Sequence, residues 1–319
     1  MKNQFTQMVL QGLFHEANNI FSQITLKQQS DFLIEEVIDS KSIAVYTFTC
    51  FLILQKGESA KLHYCASEIL SVGLTYLEGA YSAALFHARS AAVLDSADFT
   101  YKEHLLLFYS IPEKLIDNKE AYGIVHGILE QDPNNTTALR ILAEIEESTT
   151  VENTITMQIT NKKDLSINFM NYVNTGRYGE AKLLSLAILS YENFYNFIII
   201  LGFETGSIAL YTFICFVLTE NESSQMHQLA AVLISQALSH IEGAYSAGLF
   251  HARRAVELAL DTDISYKEYL LLFYDIPEQL FSDSEAKTIA QDILRLNPDN
   301  KVAIDVLCTI EKNKNRANE

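Results

Sequence analysis

Helix breakers are scarce in this chain, which has 12 Gly and 4 Pro in 319 residues. So few interruptions, alongside much Leu, Ala, Ile, Glu and Lys, favour an all-helical protein. Cysteine is sparse as well. Cys50, Cys65, Cys215 and Cys308 show no C-x-x-C spacing and no dense framework, a pattern that suits a reducing compartment. Cys50 and Cys215 fall at equivalent places in apolar helices, where a free thiol behaves as a small buried hydrophobe. No apolar run suffices to span a bilayer, since the longest, 43–54 and 194–203, are short and punctuated by polar residues. Residues 1–8 lack the apolar core of a signal peptide. The expected location is therefore cytoplasmic.

Positive charge is also in short supply, with 23 basic against 40 acidic residues and a net charge of −17. Such a surface repels phosphate backbones and anionic head groups, so neither nucleic acid nor membrane is expected as a partner. A protein or peptide with a basic surface fits better, although acidity of this size also serves simple solubility. Missing too are H-E-x-x-H, G-x-x-x-x-G-K-[ST] and the Rossmann glycine pattern. No paired carboxylates stand out, and no enzyme activity or cofactor is expected.

What the chain does have is repetition. Residues 77–89 recur almost unchanged at 241–253, and 101–113 recur at 266–278, an offset of 164 or 165 residues. One folding unit has been copied and joined head to tail, and such repetition governs the fold. An apolar content of 49% lets each copy bury a core. The expected division is a first helical domain at 1–147, a linker at 148–165, a second domain at 166–311 and a frayed tail at 312–319. Roughly eight helices are expected per half. Tyr81, Leu85, Ala88 and Ala92 mark one apolar helix face. Leu105 to Pro112 reads as a short helix closed by proline, 118–130 as the next helix, and 132–135 and 297–300 as breaks that start another.

A shorter pattern lies inside the larger one. Gly12-Phe14-Ala17, Gly176-Tyr178-Ala181 and Gly79-Tyr81-Ala84 share one spacing. Gly243-Tyr245 follows it with Gly248 in the Ala place. Ala121 and Pro133, like Ala286 and Pro298, lie twelve residues apart. These marks resemble the tetratricopeptide repeat family. The resemblance implies an all-α protein of two tandem, homologous tetratricopeptide-like helical-hairpin solenoid domains. In such a solenoid the first helix of each pair lines a concave face. That register places Tyr76, Glu103, Ser110, His240, Glu268 and Asp275 there as candidate partner-binding residues.

Two histidine positions also recur, His63 with His227 and His87 with His251. They invite a metal-dependent reading, but no third ligand stands at helical spacing and a satisfied or interfacial role is the plainer one. The segment 244–248 has the letters of a hydrolase elbow without its strand-turn-helix context. The expected function is thus a non-catalytic protein–protein interaction module. The specific expectation is a bacterial immunity or antitoxin-like protein, whose carboxylates imitate phosphate before a basic nuclease toxin. Alternatives are a peptide-sensing or scaffolding regulator and, from another class, a metal-dependent enzyme using the paired histidines.

Overall fold

Local chemistry sets where the helices start. Ser59, Asp98, Asp117, Ser190, Ser223 and Ser282 each take an amide of the following first turn on their side chains, satisfying donors that a helix start leaves bare. The computed structural model describes residues 1–25, 28–148, 162–186, 190–276, 278 and 280–317. Among these the regular structure is wholly helical, without a strand. No helix among them is long and apolar enough to cross a membrane.

The first copy contains α1 (Lys2–Leu10), α2 (Phe14–Phe21), α3 (Gln29–Ser40), α4 (Ile43–Lys56), α5 (Ala60–Glu68), α6 (Ala80–Leu94), α7 (Phe99–Leu105), α8 (Leu107–Ser110), α9 (Asn118–Leu129) and α10 (Thr136–Ser148). The second contains α11 (Lys162–Asn174), α12 (Tyr178–Leu186), α13 (Tyr191–Thr205), α14 (Ile208–Glu220), α15 (Ser224–Val232), α16 (Ala244–Leu258), α17 (Ser265–Leu271), α18 (Asp283–Leu296) and α19 (Lys301–Ala317). Both α5 and α15 run on into one π-helical turn, at Ile69–Gly73 and Leu233–Ala237. The linker expected at 148–165 lies largely outside the described residues, at 149–161. Ser148 closes α10 and α11 begins at Lys162. The tail is helical through Ala317, with 318–319 outside the described residues.

The compact units cut across the two copies. Unit 1 comprises Met1–Gln29, Ser42–Phe48 and Val217–Glu319, whereas unit 2 comprises Ser30–Lys41 and Thr49–Phe216. Each unit therefore combines the entry helices of one copy with the body of the other.

In unit 1 the turn between α1 and α2 rests on α16. Gly12 has φ +65°, and a Cβ there would come 2.8 Å from the Ser246 carbonyl, so the approach needs glycine on both counts. Ser246 Oγ donates to the Leu10 carbonyl at 2.6 Å, Arg253 donates to the Gln11 carbonyl at 2.9 Å, and Phe14 stacks on Phe250 with centroids 4.4 Å apart. Gly243, at φ +77°, receives the Ser42 side chain, and Ile43 N–H donates to the Glu242 carbonyl at 2.9 Å.

Unit 2 repeats the scheme with the copies exchanged. Gly176, at φ +64°, lies so close to α6 that a Cβ would be 2.8 Å from the Phe86 nitrogen. Arg89 donates to the Thr175 carbonyl, and Tyr178 stacks on Phe86 at 4.2 Å. Gly79 receives Ser207, and Ile208 N–H donates to the Glu78 carbonyl at 2.9 Å.

This docking corrects the expected single apolar face of α6. Every residue from Ser82 to Ala88 is buried, because α5 and α7 cover part of the helix and α11 of the second copy covers more.

Candidate functional site

The recurring histidines come together in each copy. His63, in the first turn of α5, and His87, midway along α6, meet Nδ1 to Nδ1 at 2.9 Å in unit 2. His227 on α15 and His251 on α16 meet in the same way at 2.8 Å in unit 1. All four are buried. A hydrogen bond between two imidazole nitrogens needs one to carry the proton and the other to lack it. Burial in turn disfavours charge. It holds His63 down at about 4 and pushes His87 and His251 well below the usual imidazole value.

The surroundings of the pairs differ. Glu222 reaches His227 Nε2 at 3.1 Å and is held by Arg254, whose own second anion is Glu257. Hydrogen bonds from His227 and Arg254 bring the Glu222 carboxyl down to about 2. An ionised carboxylate only accepts, so a neutral His227 carries its proton on Nε2. Its Nδ1 then accepts from His251 Nδ1–H. In the first copy Glu58 stands 3.7 Å from His63 Nε2, too far for a hydrogen bond, and that nitrogen is buried without a partner among the described residues. Ser90 occupies the position of Arg254 and Val93 that of Glu257.

A second polar contact varies in parallel. Ser235, in the π-helical turn after α15, bonds Tyr269 at 3.0 Å. Its counterpart Ser71 is buried with no partner for its hydroxyl among the described residues, and position 104 holds His rather than Tyr. His104 Nε2 instead meets Ser67 Oγ at 2.8 Å, and burial lowers it to about 4.

Among the described residues no group of three or more His, Cys, Asp or Glu side chains is arranged to hold a metal ion. The geometry of each pair suits a proton-sharing contact between two packed helices. The four cysteines are free thiols.

The residues assigned to a concave face fall into two kinds. Glu103 and Glu268 are half-buried and each accepts from an Asn amide, Asn135 Nδ2 at 2.9 Å in one case and Asn300 Nδ2 in the other. Those asparagines cap α10 and α19 through the Ala138 and Ala303 amides. Both carboxylates thus orient a cap. Tyr76, Ser110, His240 and Asp275 are exposed. The Tyr76 hydroxyl donates to the Lys41 carbonyl at 2.7 Å, and Ser110 Oγ to the Leu106 carbonyl at 3.2 Å. His240 lines a cavity of 330 Å³ with Glu242, Tyr245 and Glu278, while Asp275 lines another of 560 Å³ with Tyr274, Asp283 and Asn313.

Sequence reasoning passed over the two arginines that close the best-repeated block. Arg89 forks onto Glu120 at 2.8 and 2.9 Å, and Arg253 onto Glu285 at 3.0 and 3.2 Å. The signal was available, since Arg and Glu recur together at matched positions in both copies. No protein-family model, curated protein or solved structure matches the chain.

Proposed function

We propose that the protein is a non-catalytic binding module for a partner with a basic surface. One observation carries this reading. Every arginine whose side chain is described is already engaged by a carboxylate: Arg89 by Glu120, Arg140 by Glu144, Arg177 by Glu180, Arg253 by Glu285, Arg254 by Glu222 and Glu257, and Arg295 by Asp292. These guanidinium charges are neutralised locally while the chain keeps a net charge of −17. The field that remains favours cationic surfaces and raises their rate of encounter.

The helical-hairpin pattern supports a tetratricopeptide-like scaffold, on which the exposed Tyr76, Ser110, His240 and Asp275 face the partner. Within this class the charge best suits a bacterial immunity or antitoxin-like role in the cytoplasm, masking the phosphate-binding surface of a nuclease toxin. Calorimetry against the product of a neighbouring toxin-like gene tests it. The expected result is micromolar or tighter binding that weakens steeply between 50 and 200 mM salt (about these ionic strengths span the useful screening range). Absence of binding, or binding indifferent to salt, overturns the reading.

A further inference from the structure

The two docking turns have a consequence beyond partner binding. We infer that the face of α16 bearing Ser246, Phe250 and Arg253, and its counterpart on α6, is an interaction surface. The partner it fits is the entry hairpin of another copy of this fold. The chain is in effect two subunits that exchange their first helices and were then joined into one polypeptide.

Three features of the docking carry this. The receiving surface is specific in shape, for a Cβ on the turn residue would come 2.8 Å from the helix backbone, at Gly12 in one unit and Gly176 in the other. It is specific in polarity, since a guanidinium already forked onto a carboxylate gives its remaining N–H to the carbonyl just before that glycine, Gln11 or Thr175. It is apolar at the centre, where a turn aromatic stacks on a helix phenylalanine at 4.4 and 4.2 Å. Buried aromatic anchors beside Arg are the usual energetic centres of protein interfaces. Both units make the same contacts, and in both the donor and receiver belong to different copies.

Continuity of the chain between the copies is therefore not what holds each unit together. A nick between α10 and α11 leaves two fragments that share both units. The contacts within unit 1 join 1–29 and 42–48 to the second fragment, and those within unit 2 join the rest of the first fragment to 162–216.

The test places a protease site within 149–161 of the full chain, cleaves to completion, and measures mass in solution at low micromolar concentration and high salt. The expected species contains both fragments at the mass of the intact 36.0 kDa chain, with helical circular dichroism retained. Separation into single fragments, folded or unfolded, overturns the inference. A second arm separates docking from general cohesion. Gly12→Ala in the nicked chain should weaken fragment association at least tenfold. Gly206→Ala, at a similar φ of +61° but with open space around it, should change it less than threefold. Equal effects from the two substitutions contradict the assigned docking turn.

Discussion

The bodies of the two copies are near-duplicates in sequence but not in how they treat buried polar groups. In the first copy Glu36 Oε2, His63 Nε2 and Ser71 Oγ are buried without hydrogen-bond partners among the described residues. At the matching places in the second copy stand Leu201, His227 on Glu222, and Ser235 on Tyr269. A buried polar atom without a partner costs its full desolvation, roughly 1–3 kcal/mol. Duplication copied the helices and left their polar satisfaction to diverge. The first body is the more loosely satisfied and the second the more fully bonded.

Acid should widen that difference most. His63 and His104 are neutral when folded, each with its value moved from 6.5 to about 4. Above pH 6.5 neither folded nor unfolded imidazole is charged and they contribute nothing to the pH dependence. As pH falls from 6.5 towards 4 the unfolded chain takes up protons that the folded one refuses, so stability falls, by about 3 kcal/mol for each group over the whole window. Below 4 the loss stops growing. In the second copy Glu222 opposes the lowering of His227, and position 269 is Tyr. His227 and His251 are lowered as well, so both bodies lose stability in acid, but the first has one more such imidazole. Hydrogen exchange at pH 7 and pH 5 should therefore show protection lost first and furthest in α5 and α6, and less in α15 and α16. Equal loss in both would break the comparison.

Copying second-copy residues into the first should narrow the gap. Glu36→Leu removes a buried carboxylate oxygen that has no partner. It should stabilise the chain by about 1–3 kcal/mol in denaturant melts near neutral pH, and a destabilisation would show that the carboxylate has a use its geometry hides. His104→Tyr gives Ser71 the phenol that Ser235 has. Its stability change at pH 7 should stay within about 1 kcal/mol, because Ser67 Oγ still donates to the Ala84 carbonyl at 2.8 Å. The pH 5 loss in α5 and α6 should shrink by about a third, since one of the three buried imidazoles with lowered values, His63, His87 and His104, is gone.

The smallest of these changes concerns backbone alone. Lys41, at φ +52°, occupies the place that Gly206 holds at φ +61°. Lys41→Gly should relieve left-handed strain and gain about 0.5–1 kcal/mol in the same melts. The Tyr76 bond to the residue-41 carbonyl can survive this change, since glycine keeps that oxygen.

Much of the fold was legible because its signals are local. The break before Pro112 ends α8 at Ser110, Asp117 opens α9, and Asn135 and Asn300 open α10 and α19, all from residues adjacent in sequence. The helices exceed the eight expected per half; the short helix expected from Leu105 to Pro112 is α8, and α7 is a separate helix that ends at Leu105. What the sequence could not disclose was which copy each entry helix joins. Two nearly identical receiving faces present the same apolar and polar pattern, so periodicity is equally consistent with docking on the near copy or the far one. The site suffered from the same limit. Helical register gave Glu103 and Glu268 a place on a face, but their bonds to Asn135 and Asn300 reach 32 residues along the chain. The histidine contacts likewise join residues 24 apart on different helices.

The central claim is that the recurring histidines are a neutral packing contact. Nitrogen-15 NMR of the histidine rings at pH 7 tests it directly. The account expects His227 protonated on Nε2 alone and His251 on Nδ1 alone, with neither charged and no ring shifted by added zinc. An imidazolium at any of the four paired positions, or zinc-dependent shifts in either pair, would contradict it.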